Sequence, residues 1–252
     1  MRACVALVAL LGALFGACLT TSDALAQSCP ASLQDAQRLI LVTVPNLTSS
    51  GGSLRLYARM QPDASWRQVG SAQPVNVGKR GIAWGHAFRE FAGNNEPVKI
   101  EGDKKSPAGI YPIGRPFGFG PSRLANYLQI GSDSVCVEDP SSPAYNTITS
   151  KKAVGLSVSK ETMGASSLYR RGLATNYPTD AAHKAGSCIF LHVWRSPNQG
   201  TSGCVTMPEE RVAALQQFAD GHQTVLALLP ESALPRLADC LPAATTAHND
   251  GR

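Results

Sequence analysis

The sequence predicts a mainly β protein of the β-rich α+β class, built on a bent sheet or sandwich with one or two helices. Three observations favour this class. Short apolar and β-branched runs alternate with turn signals along most of the chain. The 252 residues include 23 glycines and 17 prolines, which suit loops and tight turns. Only one segment, residues 209–220, repeats apolar residues at helical spacing over several turns.

The N-terminal residues 1–26 have the features of an export signal. Arg2 supplies a positive charge, residues 5–19 form a short apolar run, and Ala24-Leu25-Ala26 has the small-residue pattern of a cleavage site. A membrane anchor and a lipoprotein modified at Cys18 are the two alternatives. The sequence therefore predicts localisation in the periplasm or cell envelope, with no transmembrane span in the mature form.

The strand predictions follow from β-branched or alternating runs between turn signals. In chain order, they cover residues 38–44, 54–60, 66–69, 75–77, 110–113, 135–137, 188–194, 204–207 and 224–229. Residues 122–128 are expected to form one or two helical turns. Residues 138–165 are expected to form a long polar loop, of a length that is usually functional or a lid.

The helix at 209–220 has a clear start signal. Pro208 suits the first turn, and Glu209 and Glu210 complement the positive end of the helix dipole. Residues 27–241 are expected to form a single domain, followed by a disordered tail at 242–252.

The charge pattern argues against a nucleic-acid partner. The formal net charge is +5, but basic residues occur singly or in pairs such as Lys79-Arg80 and Lys104-Lys105, never in a run of five. An anionic polymer substrate fits a mildly basic exported protein. The sequence makes no prediction of an oligomeric state.

Two of the seven cysteines fall in the predicted signal. The remaining five are Cys29, Cys136, Cys188, Cys204 and Cys240. Five is an odd number, so at least one thiol stays free in an oxidising compartment. With Cys204 free, three connectivities exist. The preferred one joins Cys29 to Cys240 and Cys136 to Cys188, because the first bridge would tie two ends that otherwise fray. A metal site is the alternative, but no C-x-x-C or H-x-x-x-H spacing occurs. The spacing therefore gives no support to a metal site.

A nucleophile and its base are suggested by His192 at the end of an apolar strand, followed by Gly203 and Cys204. A cysteine needs a nearby imidazole to form its thiolate at neutral pH. A strand–loop–strand hairpin would bring the two side chains together, and Cys204 is then expected to alkylate even at pH 6. The N–H groups of Gly203 and Cys204 would hold a developing oxyanion. The alternative interpretation is a buried structural cysteine and a core histidine whose hydrogen bonds are satisfied within the protein.

The segments Ile189–His192 (IFLH) and Thr201–Met207 (TSGCVTM) resemble the active-site signature of the YkuD-type L,D-transpeptidase catalytic domain. In that signature, Ser/Thr-His-Gly-Cys follows a histidine on a strand. Upstream, Lys99–Asp103 (KIEGD) and Ser106–Pro112 (SPAGIYP) resemble the family's hairpin with Ser/Thr-Pro-x-Gly. The resemblance covers roughly residues 95–230. It implies the family's bent sheet or sandwich, peptidoglycan stem peptides as substrate, and no metal or organic cofactor.

The resemblance implies acyl transfer from a stem peptide through a Cys204 thioester to an amine, with His192 as the base. The alternatives are an L,D-carboxypeptidase or amidase that hydrolyses the same thioester, and an inactive wall-binding module. Three positions depart from the family pattern. Ser202 replaces a second histidine, Thr206 replaces an arginine, and Val193 replaces a glycine.

Four further residues are expected to contact the substrate. Thr201 and Ser202 would orient the imidazole or complete the oxyanion hole, Arg170 would bind a carboxylate, and His86 would line the cleft. Ser202 is also an alternative nucleophile. That interpretation is weakened because the glycine expected two residues after a G-x-S-x-G serine is Cys204.

Overall fold

The computed structural model describes residues 29–242. The predicted signal at 1–26 and all but the first residue of the predicted tail lie outside the described residues. Between residues 29 and 242, every helix is too short or too polar to serve as a membrane span.

Strands carry most of the described part of the chain. In order they are β1 (Arg38–Val44), β2 (Gly51–Ala58), β3 (Arg67–Asn76), β4 (Ile82–Trp84), β5 (Ser106–Gly118), β6 (Leu128–Gln129), β7 (Ser134–Val137), β8 (Ile148–Ser150), β9 (Lys160–Thr162), β10 (Arg171–Thr175), β11 (Phe190–Val193), β12 (Val205–Met207) and β13 (Thr224–Pro230). The helices are α1 (Ala31–Gln34), α2 (Lys151–Val154) and α3 (Glu209–Ala219), with 3-10 turns at His86–Phe91, Ser167–Arg170 and Glu231–Leu237. The mainly β class is thereby confirmed.

The large sheet closes on itself. Its strands run in the order β10-β11-β12-β3-β2-β1-β13-β5, and β5 pairs with β10 as well. This closure depends on the length of β5, whose 109–112 stretch pairs with β13 and whose 113–118 stretch pairs with β10. The short strands β4 and β6 pair with the same long strand. The sheet therefore bends into a barrel-like wall around its core.

The central strands of this sheet are buried on both faces. Every residue from Leu39 to Val44 in β1 is buried, between parallel β13 and antiparallel β2, which explains the continuous apolar run in the sequence. The predicted helix is confirmed as α3, and it packs Val212 and Leu215 into the core.

The region expected to be a long polar loop, residues 138–165, contributes two strands to a second sheet. Strands β8 and β9 pair on either side of β7, and α2 follows β8 directly. Each strand has only three or four residues, so the sequence offers too little alternation for a strand signal. The helical turns expected at 122–128 are also wrong. That segment is a turn leading into β6, with Asn126 at φ 54°, outside the helical region.

The predicted hairpin between His192 and Cys204 is wrong as well, because β11 and β12 pair in parallel. Residues 194–204 cross over and return the chain to the start of β12. This crossover is held against the end of β3: Thr201 N–H donates to Val77 O and Lys79 N–H donates to Thr201 O, each at 2.8 Å. The loop therefore returns the chain so that β12 runs in the same direction as β11.

The preferred cysteine pairing is confirmed. Cys29 is bonded to Cys240 and Cys136 to Cys188, while Cys204 is free and buried. The first bridge ties α1 to the end of the described chain. The second ties the small sheet to the segment that precedes β11.

Replacing Cys29 and Cys240 together with serine is expected to lower the free energy of unfolding by up to about 5 kcal/mol, because the bridge joins residues 211 apart in the unfolded chain. Urea unfolding under oxidising conditions measures the change. A double variant as stable as the wild type would show that this bridge does not constrain the unfolded chain.

Candidate active site

His192 and Cys204 line the same cleft, which has a volume of about 650 Å³. In the parallel pair, His192 lies opposite Thr206 and Leu191 lies opposite Val205. Alternate residues of a strand share a face, so Cys204 and Thr206 both project on the side that carries His192. The two residues predicted to carry the chemistry therefore line one cleft on one face of the sheet.

The imidazole of His192 is held in one tautomer. The residue is only 4% exposed, and its Nδ1 lies 2.8 Å from the carbonyl oxygen of Val193. A carbonyl oxygen only accepts hydrogen bonds, so Nδ1 carries the proton and Nε2 is left as the basic atom. Burial lowers the pKa of His192 to about 4, against the weaker opposing effect of that hydrogen bond. The resting imidazole is therefore neutral.

The thiol of Cys204 is also neutral at rest. The residue is 8% exposed, and its Sγ lies 3.3 Å from the carbonyl oxygen of Cys188. Burial raises its pKa far above the ordinary range, and the negative charge of Glu161 adds to the effect. The Phe190 N–H faces the sulfur and favours the thiolate, but this smaller effect is outweighed. The structure thus differs from the expected thiolate–imidazolium pair, because both groups lie out of water.

The loop before Cys204 is shaped by its own side chains. Thr201 Oγ1 donates to the carbonyl of Cys204 at 2.6 Å and accepts from the N–H of Gly203 at 3.1 Å. That contact engages one of the two N–H groups expected to form the oxyanion hole. A side chain at Gly203 would place Cβ 3.2 Å from Ile189 Cδ1, so the Ile189 side chain would have to shift by a few tenths of an ångström. Ser202 is exposed at the edge of the cleft.

The upstream segment Ser106–Pro112 contacts Cys204, the residue predicted to be the nucleophile. Ser106 Oγ donates to the carbonyl of Cys204 at 3.3 Å and accepts from the N–H of Gly78 at 2.9 Å. The two segments of the family-like signature, far apart in sequence, therefore converge on one peptide group.

Two predicted site residues lie elsewhere. Arg170 donates through Nε to Glu209 Oε2 at 2.6 Å, and it is not among the residues lining the cleft. His86 begins a 3-10 turn, and its ring stacks on that of His183 with centroids 4.3 Å apart. It too is absent from the cleft lining.

The same cluster around His86 offers a candidate metal site in the described part of the chain. Donor atoms of His86, Asp180 and His183 lie within 4.8 Å of one another. Sequence spacing missed this group because His86 is distant from the other two in the chain. His183 Nδ1 is already 2.7 Å from Asp180 Oδ2.

The cleft also contains residues to which the sequence assigned no role. Tyr169 packs its ring 4.9 Å from that of His192, and its hydroxyl faces Glu161. Glu101 and Glu138 line the cleft with Glu161. The KIEGD motif was the only sequence signal for any of these acids, since the other two come from the segment expected to be a loop.

Comparison with known proteins adds a family match. The model of the YkuD L,D-transpeptidase catalytic domain matches residues 53–226. No curated protein matches the chain.

Two solved structures match part of this chain at low similarity. The helical cell shape determining protein Pgp2 from Campylobacter jejuni is 17% identical with a TM-score of 0.42, over 77% of this chain and 48% of that one. Bd1075 from Bdellovibrio bacteriovorus is 17% identical with a TM-score of 0.40, over 81% of this chain and 54% of that one. The chain spans about half the length of both.

The neutral resting pair predicts a pH profile for alkylation of Cys204. The rate with iodoacetamide is expected to rise about tenfold per pH unit between pH 7 and 9 without a plateau, because the thiolate fraction grows in this way below the pKa. Quenched labelling and mass spectrometry measure the rate. A plateau already at pH 6–7 would show a thiolate–imidazolium pair instead. His192→Ala should leave the slope unchanged.

The buried imidazole also predicts a loss of stability in acid. Its pKa is about 4 when folded and 6.5 in its ordinary state, so the unfolded chain gains a proton as pH falls through this window while the folded protein does not. Stability is present above pH 6.5 and is lost towards pH 4, by about 3 kcal/mol. His192→Gln should remove this part of the pH dependence in urea unfolding, and His222→Gln, on the surface, should not. Equal pH dependence in all three proteins would contradict the buried neutral state.

Proposed function

The chain belongs to the YkuD family of L,D-transpeptidase catalytic domains, and from that premise we propose that it is an exported L,D-transpeptidase acting on peptidoglycan stem peptides. The observation that supports this most is the presence of a free thiol and a base of defined tautomer in the same cleft. Cys204 and His192 line one cleft on one face of the sheet, and Nε2 is the atom left to accept a proton.

In the first step, Cys204 Sγ attacks the carbonyl carbon on the L side of an L,D-peptide bond while His192 Nε2 takes the thiol proton. Because both groups are neutral at rest, proton transfer accompanies the attack rather than preceding it. The tetrahedral oxyanion is held by the N–H of Cys204, since the N–H of Gly203 already donates to Thr201 Oγ1.

Collapse of this intermediate breaks the C–N bond. The imidazolium of His192 gives its proton to the departing D-amino acid, which leaves as an amine, and the peptide remains as a thioester on Cys204. An acceptor amine then attacks the thioester, gives a proton to Nε2 and forms a new amide. Sγ recovers the proton as it leaves. No step requires a metal or an organic cofactor.

Export is supported by the two disulfides, since such bonds persist in oxidising compartments. The family itself acts on the cell wall, which in turn fits a substrate outside the cytoplasm.

The proposal is tested by incubating the full chain with tetrapeptide-stem muropeptides and following both protein and products by mass spectrometry. We expect a peptide thioester on Cys204 and a cross-linked dimer. Cys204→Ser should lower the rate by about a thousandfold or more while keeping the urea midpoint, because the hydroxyl is a far poorer nucleophile beside the same base. Tripeptide without dimer would identify a hydrolase, and the absence of any thioester would identify an inactive wall-binding module.

A further inference from the structure

Two imidazoles and one carboxylate meet outside the catalytic cleft: those of His86, His183 and Asp180. One donor atom of each residue lies within 4.8 Å of the other two. We call these three residues the histidine cluster. None of them lines the cleft that contains the thiol, so the proposed reaction gives the cluster no role.

The turn formed by residues 180–185 supplies two of the three donors. Its backbone is closed by the N–H of Ala185, which donates to Asp180 O at 2.9 Å. Inside the turn, His183 Nδ1 lies 2.7 Å from Asp180 Oδ2, and the N–H of His183 donates to Asp180 Oδ1 at 3.3 Å. One carboxylate and one imidazole are therefore held side by side by the local structure.

The third donor, His86, comes from a distant segment that packs on the same buried tyrosines as this turn. Gly85 precedes it, and a Cβ at that position would collide with the hydroxyl of Tyr111. The ring of Tyr177 packs edge-on against that of Tyr111, with centroids 5.2 Å apart, and its Oη donates to Ala185 O at 2.6 Å. Both segments thus rest on one tyrosine pair, which fixes the position of one set of donors relative to the other.

The contacts of the His86 ring are ones that a ligand could replace. The ring stacks on that of His183, with centroids 4.3 Å apart and 25° between the planes. Arg89 Nη1 lies 3.5 Å from His86 Nε2, which is too long for a strong hydrogen bond. Arg89 is exposed and able to rotate away. The imidazole is therefore available as a ligand.

The donor set indicates which metal would bind. Imidazole nitrogen and carboxylate oxygen are ligands of Zn²⁺ and related first-row ions, whereas Ca²⁺ and Mg²⁺ require more oxygen atoms. Ligand atoms of a tetrahedral Zn²⁺ site lie about 3.4 Å apart, as follows from bonds of about 2.1 Å. The donors of the cluster are within 4.8 Å of one another, and His183 is exposed while His86 and Asp180 are half-buried. Small rotations of these side chains are therefore sufficient to complete the site.

We propose that His86, Asp180 and His183 bind a divalent transition-metal ion of the Zn²⁺ class, with water as a fourth ligand. The inference goes beyond the proposed function and does not depend on it. The ion joins the 3-10 turn that begins at His86 to the turn that carries the other two ligands. This second turn also contacts the cleft, because the N–H of Glu101 donates to Lys184 O at 2.6 Å. The ion is thus a structural clip beside the cleft and takes no part in acyl transfer.

The first experiment measures Zn²⁺ binding to the untagged chain after dialysis against a chelator. Cys4, Cys18 and Cys204 are replaced by alanine in this parent protein, because a free thiol would compete for the metal. Calorimetry is expected to show one Zn²⁺ per chain with a micromolar or smaller dissociation constant, which an excess of Ca²⁺ or Mg²⁺ does not change. Weaker binding, or equal competition by Ca²⁺, would overturn the proposal.

The second experiment assigns the ligands. His86→Gln, Asp180→Asn and His183→Gln, each made in the parent protein, are expected to weaken Zn²⁺ binding by about tenfold or more, at least as much as the loss of an outer-shell partner. His222→Gln is the matched control, since this exposed histidine lies outside the cluster, and it should keep the dissociation constant.

The urea midpoint without metal checks the fold of each variant. His183 is exposed, so His183→Gln should leave this midpoint unchanged and still lose binding. A variant of the cluster that binds Zn²⁺ as tightly as the parent would overturn the assignment of that ligand.

The third experiment tests the clip by trypsin cleavage after Lys184, which is exposed in the turn between residues 180 and 185. Zn²⁺ is expected to slow this cleavage about tenfold or more in the parent, because the turn has to open for the protease and the ion binds only the closed form. Cleavage after Arg123, exposed in another loop, should not change. In His86→Gln, Zn²⁺ should no longer protect Lys184.

Two outcomes of the cleavage experiment would contradict the clip. Equal protection of Lys184 in His86→Gln would show that the ion is held within the turn alone, and unchanged cleavage in the parent would show that the ion does not hold the turn. The parent lacks the thiol of Cys204 and forms no thioester. Failure of the proposed function would therefore leave these results unchanged, and failure of the metal site would leave the proposed function unchanged.

Discussion

The parallel pairing of β11 with β12 is the constraint on which the rest of the site depends. It sets His192 opposite Thr206 and places Cys204 immediately before β12, on the same face of the sheet. A hairpin of the same residues would reverse β12 and exchange these neighbours. The crossover loop is in turn held by the backbone of Val77 and Lys79 at the end of β3. The distant N-terminal half of the sheet thus determines where the nucleophile lies.

The second constraint is covalent. Cys188 lies just before β11 and turns its carbonyl towards the sulfur of Cys204, while its own sulfur is bonded to Cys136 in the central strand of the small sheet. Glu161 pairs across from Cys136 in that sheet. One bridge therefore fixes both the environment of the thiol and the position of the acids that act on it. Residues of the small sheet and of its loops thus form one side of the cleft.

The residue types of the site could be predicted from the sequence, but the pairing that assembles them could not. His192, Gly203 and Cys204 lie close enough in the chain to form a local motif. The odd number of cysteines predicted one free thiol, and the expectation that a bridge ties the two ends of the chain selected the correct pairing. A connection of the length of 194–204 fits either strand direction, so the sequence did not decide between them. Glu138 directly follows β7 and Glu161 lies in β9. Both strands are too short for a periodic signal, and only their pairing brings the two acids together.

Burial of Cys204 has a consequence for its neighbours. It shares one apolar cluster with both half-cystines of the Cys136–Cys188 bridge. A thiolate in that position would be able to attack the bridge and exchange partners with it, which would destroy the nucleophile and release the small sheet in one event. Exchange requires the ionised sulfur, and burial keeps this one protonated. In the resting state, the protonated thiol of Cys204 therefore does not exchange with the Cys136–Cys188 disulfide. The need to avoid this exchange limits how far the pKa of the free thiol can fall.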